Sequence, residues 1–220
     1  MSRRARGRWW LLGGTVAAGV AIIGITLSSS NNRGAGRPPH PTGDGAVAAG
    51  AAQQLQSLLH RAESRTYHAT YAVTGDTSKV GGLLTIEVWH APPRVREDTT
   101  LVSGSTTVRT RALSDGRTGQ ACDQRAGAWS CTPLPAGDAA TAGDVAAPIV
   151  ASFVGRQATV ATETVAGGPA TCFTVVAPAG AKVCVDAVGV PVLIADAVIT
   201  YARTSMAGNV DDGVFTPPRG

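Results

Sequence analysis

The apolar positions of this chain follow one period and then another. In AVAAGAAQQLQSLLHRAES, Val47, Ala51, Leu55, Leu58 and Ala62 recur at three- and four-residue spacing, which predicts one amphipathic helix ending near Ser64. His60 and Arg61 fall in its last turn, where positive charge suits the helix dipole. From Tyr67 the period becomes two: Tyr67, Ala69, Tyr71 and Val73 share one strand face, and Leu84, Ile86 and Val88 alternate with Leu83, Thr85, Glu87 and Trp89. Further strand-like runs are TTLVS, TTVRTRALSDG, RTGQACDQ, AWSCTPL, ATVATETV, ATCFTVV, AKVCVDA and VPVLIADAVITYAR, with turn signals roughly every 8–12 residues. That spacing predicts a meandering antiparallel sheet of about nine strands rather than βαβ units. DVAAPIVASFVGRQ, residues 144–157, interrupts it as a second helix with Asp144 as N-cap, Pro148 in the first turn and Gly155 near the end.

The fold class expected is therefore α+β: a strongly curved antiparallel sheet whose concave face is covered by helices, since so large a sheet curls as it twists and must bury one face. In WHAPPRVREDT, Pro92 and Pro93 follow a strand ending in Trp89 and His90, and the alternation resumes at once. Proline cannot donate to a ladder, so this pair marks a break, turn or bulge between two strands.

The N-terminus has a different pattern. Residues 9–27 carry no charge and are mostly apolar, a length that crosses a bilayer core of about 30 Å at about 1.5 Å per helical residue. It exceeds the apolar core of about 7–15 residues in a cleavable signal, and no A-x-A site follows. Arg3, Arg4, Arg6 and Arg8 precede it, so residues 1–8 read as a cytoplasmic stub and the rest as exported. The expected localisation is a single-pass membrane protein with an extracytoplasmic C-terminal domain; the alternative is secretion after signal cleavage. Residues 28–45, rich in Ser, Asn, Gly and Pro and containing His40, read as a flexible linker. The domain itself is 46–220.

Charge adds little beyond orientation. The net charge of +4 equals the four arginines before residue 9, leaving 15 basic and 15 acidic residues in the remainder. A neutral body gives no footprint for nucleic acid.

Export makes the cysteines readable. Cys122, Cys131, Cys172 and Cys184 are an even set in an oxidising compartment. Cys122 and Cys131 lie symmetrically about Ala126-Gly127, as across a hairpin with a two-residue turn, and Cys172 and Cys184 flank APAGA nearly as symmetrically, so two local bridges are expected. The rival, a four-cysteine metal site, lacks any C-x-x-C knuckle.

No catalytic constellation emerges. The histidines are His40 in the linker, His60 on the helix, His68 on the solvent face of a strand and His90 at a strand end, and no H-E-x-x-H, G-x-S-x-G, P-loop or G-x-G-x-x-G occurs. No enzyme activity, cofactor or metal is expected. Arg94, Arg96, Arg109 and Arg111 alternate along two neighbouring strands as a basic stripe: either a solvated face paired with Glu87, Glu97 and Asp98, or, for Arg94 and Arg96, a contact for lipid head groups.

Several motifs, in order, resemble the LolA/LolB family of lipoprotein carriers, with its LprG/LppX and RseB-type relatives. They are the opening helix, Pro92 with Val95 and Arg96, then Ser114-Asp115-Gly116, then Phe215-Thr216-Pro217-Pro218, spanning 46–218. The resemblance implies a half-barrel lidded by helices, holding acyl chains. A lipid or acylated ligand in such a cavity would meet Tyr67, Tyr71, Leu84, Ile86, Val88 and Phe153, which otherwise fill a dry core. An RseB-like module would instead bind an envelope protein partner with its core filled. Two departures bear on mechanism. Ala91 stands where the periplasmic carriers have Arg, and the tether is a membrane helix in place of a lipidated cysteine, which points away from free shuttling.

Overall fold

The computed structural model describes residues 44–75, 82–134, 153, 155–176 and 180–218. The expected anchor 9–27 lies outside these residues, as do the linker up to residue 43 and most of the expected helix 144–157. Among the described residues no helix is long and apolar enough to cross a membrane.

Helix α1 spans Asp44–Glu63 and buries Ala51, Leu55, Leu58, Leu59 and Ala62, the face drawn by its sequence period. Eleven strands follow. They are β1 (Tyr67–Gly75), β2 (Leu83–Ala91), β3 (Arg94–Ser103), β4 (Thr106–Ser114), β5 (Gly119–Arg125), β6 (Ala128–Pro133), β7 (Ala158–Val165), β8 (Gly168–Val175), β9 (Lys182–Val185), β10 (Pro191–Ala195) and β11 (Ile199–Ala207). A 3-10 turn at Asp212–Phe215 follows β11.

All strands join one open antiparallel sheet in the order β6-β5-β4-β3-β2-β1-β11-β10-β9-β8-β7. Each half is a meander, and the halves meet where β1 pairs with β11. Among the described residues the ten strand-like runs become eleven strands, more than the nine or so expected of the sheet. The run VPVLIADAVITYAR is cut in two because the Asp196 carboxylate accepts hydrogen bonds from the backbone N–H of Val198 and Ile199, closing a turn that separates β10 from β11.

The two prolines do not interrupt the sheet. Pro92 and Pro93, joined by a cis peptide bond, are themselves the two-residue turn between β2 and β3, and the ladder runs unbroken from Ala91↔Arg94 to Leu83↔Val102. Ala126 and Gly127, at φ +50° and +86°, form the two-residue turn expected between the first cysteine pair. Both predicted disulfides are present, Cys122–Cys131 and Cys172–Cys184, each joining residues directly opposite in neighbouring strands.

Registration sorts residues onto two faces. On the helix side, α1 packs Ala51, Leu55, Leu58 and Leu59 against Phe173, Val175, Val183, Val185 and Ile194. Phe153 is 1% exposed there and meets Phe173 edge to face, with centroids 6.5 Å apart. A second cluster on this face gathers Tyr67, Ala69, Tyr71, Val73, Ile86, Val88 and Val95 with Ala62 of α1. Gly189, in the turn between β9 and β10, lets that turn approach α1: its φ is +93°, and a Cβ there would lie 2.0 Å from the Leu58 carbonyl oxygen.

Candidate functional site

Four of the six residues expected around an apolar ligand come together. Tyr67 and Tyr71 of β1 and Ile86 and Val88 of β2 line one cavity on the helix-side face, joined by Pro191, Ile194 and Tyr201 from β10 and β11. The register explains the meeting: Tyr71 pairs with Ile86, Ala69 with Val88, and Val73 with Tyr201. Leu84 packs at the margin of the same cluster and is half-buried. Phe153 belongs to the other cluster, against Phe173. The cavity has a volume of about 10 Å³, room for about one water.

The three tyrosines of the chain all line this space. The Tyr71 hydroxyl donates to the Pro191 carbonyl at 3.1 Å. Burial raises the Tyr71 hydroxyl well above the ordinary phenol value and pushes Tyr67 up to about 12, the Asp186 charge adding to it and Arg203 opposing. Tyr201 is raised too, by burial and then by the charges of Asp196 and Glu97. All three therefore keep their O–H at physiological pH.

Glu97 shares this face, since it pairs with Val88 and with Ala112. It had been expected on the charged stripe, but alternation along β3 puts it beside Val95 instead. Burial, then the adjacent Asp98 charge, push its carboxyl from 4.5 up to about 7, against a hydrogen bond from Thr99.

The opposite face carries the arginines. Arg96 and Arg111 each grip Asp98 through two hydrogen bonds, so one carboxylate holds two guanidiniums. Burial would raise Asp98, but the hydrogen bonds and charges of Arg96 and Arg111 outweigh it and hold the group below the ordinary carboxylate range. Each arginine also covers an indole: Arg96 lies 4.2 Å from the Trp89 ring and Arg111 4.8 Å from that of Trp129. His68 continues the row, stacked on Trp89 at 4.5 Å. Arg94 bonds Asp212 at 2.6 Å and covers Phe215, while Arg96 also donates to the Val214 carbonyl. The two residues expected to meet head groups thus hold the C-terminal segment against β3, on the face opposite the cavity.

Two further histidines, His90 and His60, make local contacts, while His40 lies outside the described residues. His90, at its strand end, donates from Nδ1 to the Arg65 carbonyl at 2.7 Å and stacks on Tyr67. His60 meets Glu63 within exposed α1. Among the described residues no cluster of His, Cys, Asp or Glu could hold a metal ion. Asp115 closes the Ser114-Asp115-Gly116 turn, accepting from the backbone N–H groups of Thr118 and Arg117, and these hold its carboxyl below the ordinary range.

Sequence reasoning missed Tyr201, Ile194 and Pro191. They reach the cavity through the pairing of β1 with β11, over a hundred residues apart in the chain, and no local pattern encodes that pairing.

No family model matches this sequence, and no curated protein matches it. Solved structures do. MucB, in a complex with MucA(peri), superposes with a TM-score of 0.50 at 18% identity over 76% of this chain, and the chain spans 60% of that protein's length. LprF from Mycobacterium bovis gives a TM-score of 0.46 at 12% identity, covering 77% of this chain and 97% of LprF. At 18% identity the likeness to MucB bears on the fold of this chain alone.

Proposed function

We propose that this chain is a membrane-anchored extracytoplasmic domain that holds a lipid or acylated ligand between a curved, half-barrel sheet and its helices, without catalysis, in lipid or lipoprotein transport or sensing. The observation that carries the reading is convergence: Tyr67, Tyr71, Ile86 and Val88, on two strands, meet Ile194 and Tyr201 around a single apolar space. An acyl chain entering there must part the sheet from its cover, and each buried CH₂ contributes about 0.8 kcal/mol toward that separation. The anchor in this reading is segment 9–27. The two disulfides accord with an oxidising compartment. Native mass spectrometry of the delipidated chain, offered a mixture of phospholipid and lipopeptide, should show lipid-sized increments. A bare polypeptide mass under those conditions overturns the proposal.

A second reading is favoured by the cavity's volume of about 10 Å³. In it the interior stays filled and the domain recognises a partner protein of the cell envelope. Ile86→Trp separates the two: closing the cavity abolishes lipid uptake if the first holds and leaves partner recovery from membranes unchanged if the second does.

A further inference from the structure

The sheet contains a gap. Strand β11 runs to Ala207, yet its ladder to β10 stops at Leu193↔Ala202, and among the described residues Arg203 and residues 205–207 pair with β1 alone, Thr204 being the extra residue of a bulge opposite Thr70 and Tyr71. On the far side, Gly168, Pro169 and Ala170 of β8 overhang in the same way, because β9 pairs only as far as Thr171↔Val185. The short hairpin β9–β10 ends between these two overhangs, and its turn forms the floor. The result is a groove of about 440 Å³ that cuts into the sheet. Thr204, Ser205, Met206 and Ala207 along it are exposed.

The chemistry of the groove selects its occupant. A five-residue strand edge, roughly 16 Å long, offers backbone donors and acceptors that demand either water or another strand. Pro169 shields the facing edge of β8, since it has no N–H to give, whereas residues 203–207 contain no proline and no lysine. Val165, Ala166, Ala187, Val188 and Met206 give it apolar surface beside the hydroxyls of Thr204 and Ser205. The two charged side chains that line it, Arg203 and Asp186, are paired at 2.6 Å and are 14% and 17% exposed, so neither is free for a charged ligand. The chain itself leads away, its last turn being held on β3 through Arg94 and Arg96.

We propose that the edge of β11 at residues 203–207 docks an extended, uncharged peptide segment of a partner protein as an added antiparallel or parallel strand, its alternate small apolar residues seated against Val188 and Met206. This site is separate from the cavity and does not depend on lipid binding there.

The test uses the full chain and a labelled, capped peptide in which Val and Thr alternate. Fluorescence anisotropy should show saturable binding, and amide exchange of residues 203–207 should slow when the peptide is present. N-methylation of one alternate set of peptide residues, those whose N–H groups face β11, should weaken binding about tenfold, while N-methylation of the other set leaves it intact. Val188→Lys, at an exposed turn position, should weaken binding about tenfold with no change in melting temperature. Ile86→Trp should leave peptide binding intact whatever it does to lipid uptake, so the two proposals fail separately. Equal affinity for both methylated peptides, or unchanged exchange at 203–207, overturns the proposal. So does exchange already slow in the free chain, which would mean that the edge is occupied by the chain itself or by a second copy.

Discussion

Glu97 and Asp98 are neighbours on β3, yet the two faces of the sheet drive their carboxyls in opposite directions. Glu97 points to the helix side, where burial pushes it up to about 7. Asp98 points to the outer side, where Arg96 and Arg111 hold it below the ordinary range. The difference shows how the fold divides its work. The helix-side face is apolar and excludes water, so a charge there costs. The outer face is a lattice of guanidinium, carboxylate and indole, where a charge is matched.

The comparison breaks most readily at the helix-side core. Phe173 is fully buried, touches Phe153 edge-on and lies in the cluster that α1 covers. Phe173→Ala should cost about 3–5 kcal/mol of unfolding free energy, read from urea titration. A cost under about 1 kcal/mol would mean that this face does not carry the fold. On the outer face Asp98→Ala leaves two guanidiniums of 12% and 14% side-chain exposure without their shared partner. A fully buried charge left unpaired costs about 3–5 kcal/mol; with solvent at the rim the expected loss is about 2–3 kcal/mol. A double-mutant cycle with Arg96→Ala should recover part of it, and strict additivity would show that Arg96 and Asp98 act independently.

Titration sharpens the contrast because the signs differ. The folded pKa of Asp98 is depressed, so its stabilisation is complete above the ordinary carboxylate value and fades as pH falls below about 4. Glu97 is raised from 4.5 to about 7, so the native state binds more protons than the unfolded chain across that window, and stability falls as pH rises through it. The drop should amount to about 1–3 kcal/mol. Glu97→Gln should flatten the curve between pH 4.5 and 7 and be more stable than the parent by a similar amount above pH 7. Parallel slopes for parent and variant in thermal melts would place the effect elsewhere.

Local patterns carried much of this architecture. The spacing of Leu55, Leu58 and Ala62 marks the buried face of α1, alternation from Tyr67 to Val88 puts Tyr67, Tyr71, Ile86 and Val88 on one face, and symmetry about Ala126-Gly127 marks a disulfide. What stayed hidden depends on register between strands remote in sequence. Tyr201 reaches the cavity because β11 lies beside β1, and Arg111 shares Asp98 because β3 and β4 pair Asp98↔Arg111. Alternation alone separates Glu97 from Asp98, yet reading the acids as one charged stripe hid the difference. Pro92 and Pro93 left a break, a turn and a bulge open between two strands; the register shows the turn, and the ladder resumes at Ala91↔Arg94.

The smallest effect lies where the outer face meets the C-terminus. Arg94 bonds Asp212 and covers Phe215 at 4.6 Å, but its side chain is 38% exposed and that of Asp212 85%. Solvent screening limits such an ion pair to a fraction of a kcal/mol, and an exposed cation–π contact adds about 0.5–1 kcal/mol. Arg94→Ala should therefore cost only about 0.5–1 kcal/mol globally, yet amide exchange in Asp212–Phe215 should quicken severalfold, because among the described residues Arg94 and Arg96 supply the hydrogen bonds from β3 to that turn. Arg94→Lys keeps the charge but loses the flat guanidinium over the Phe215 ring, and should recover only part of the protection. If exchange at the turn stayed unchanged in Arg94→Ala, the hydrogen bond from Arg96 to the Val214 carbonyl would suffice to hold the C-terminal segment, and the outer-face lattice would end at β3 rather than continue into the tail.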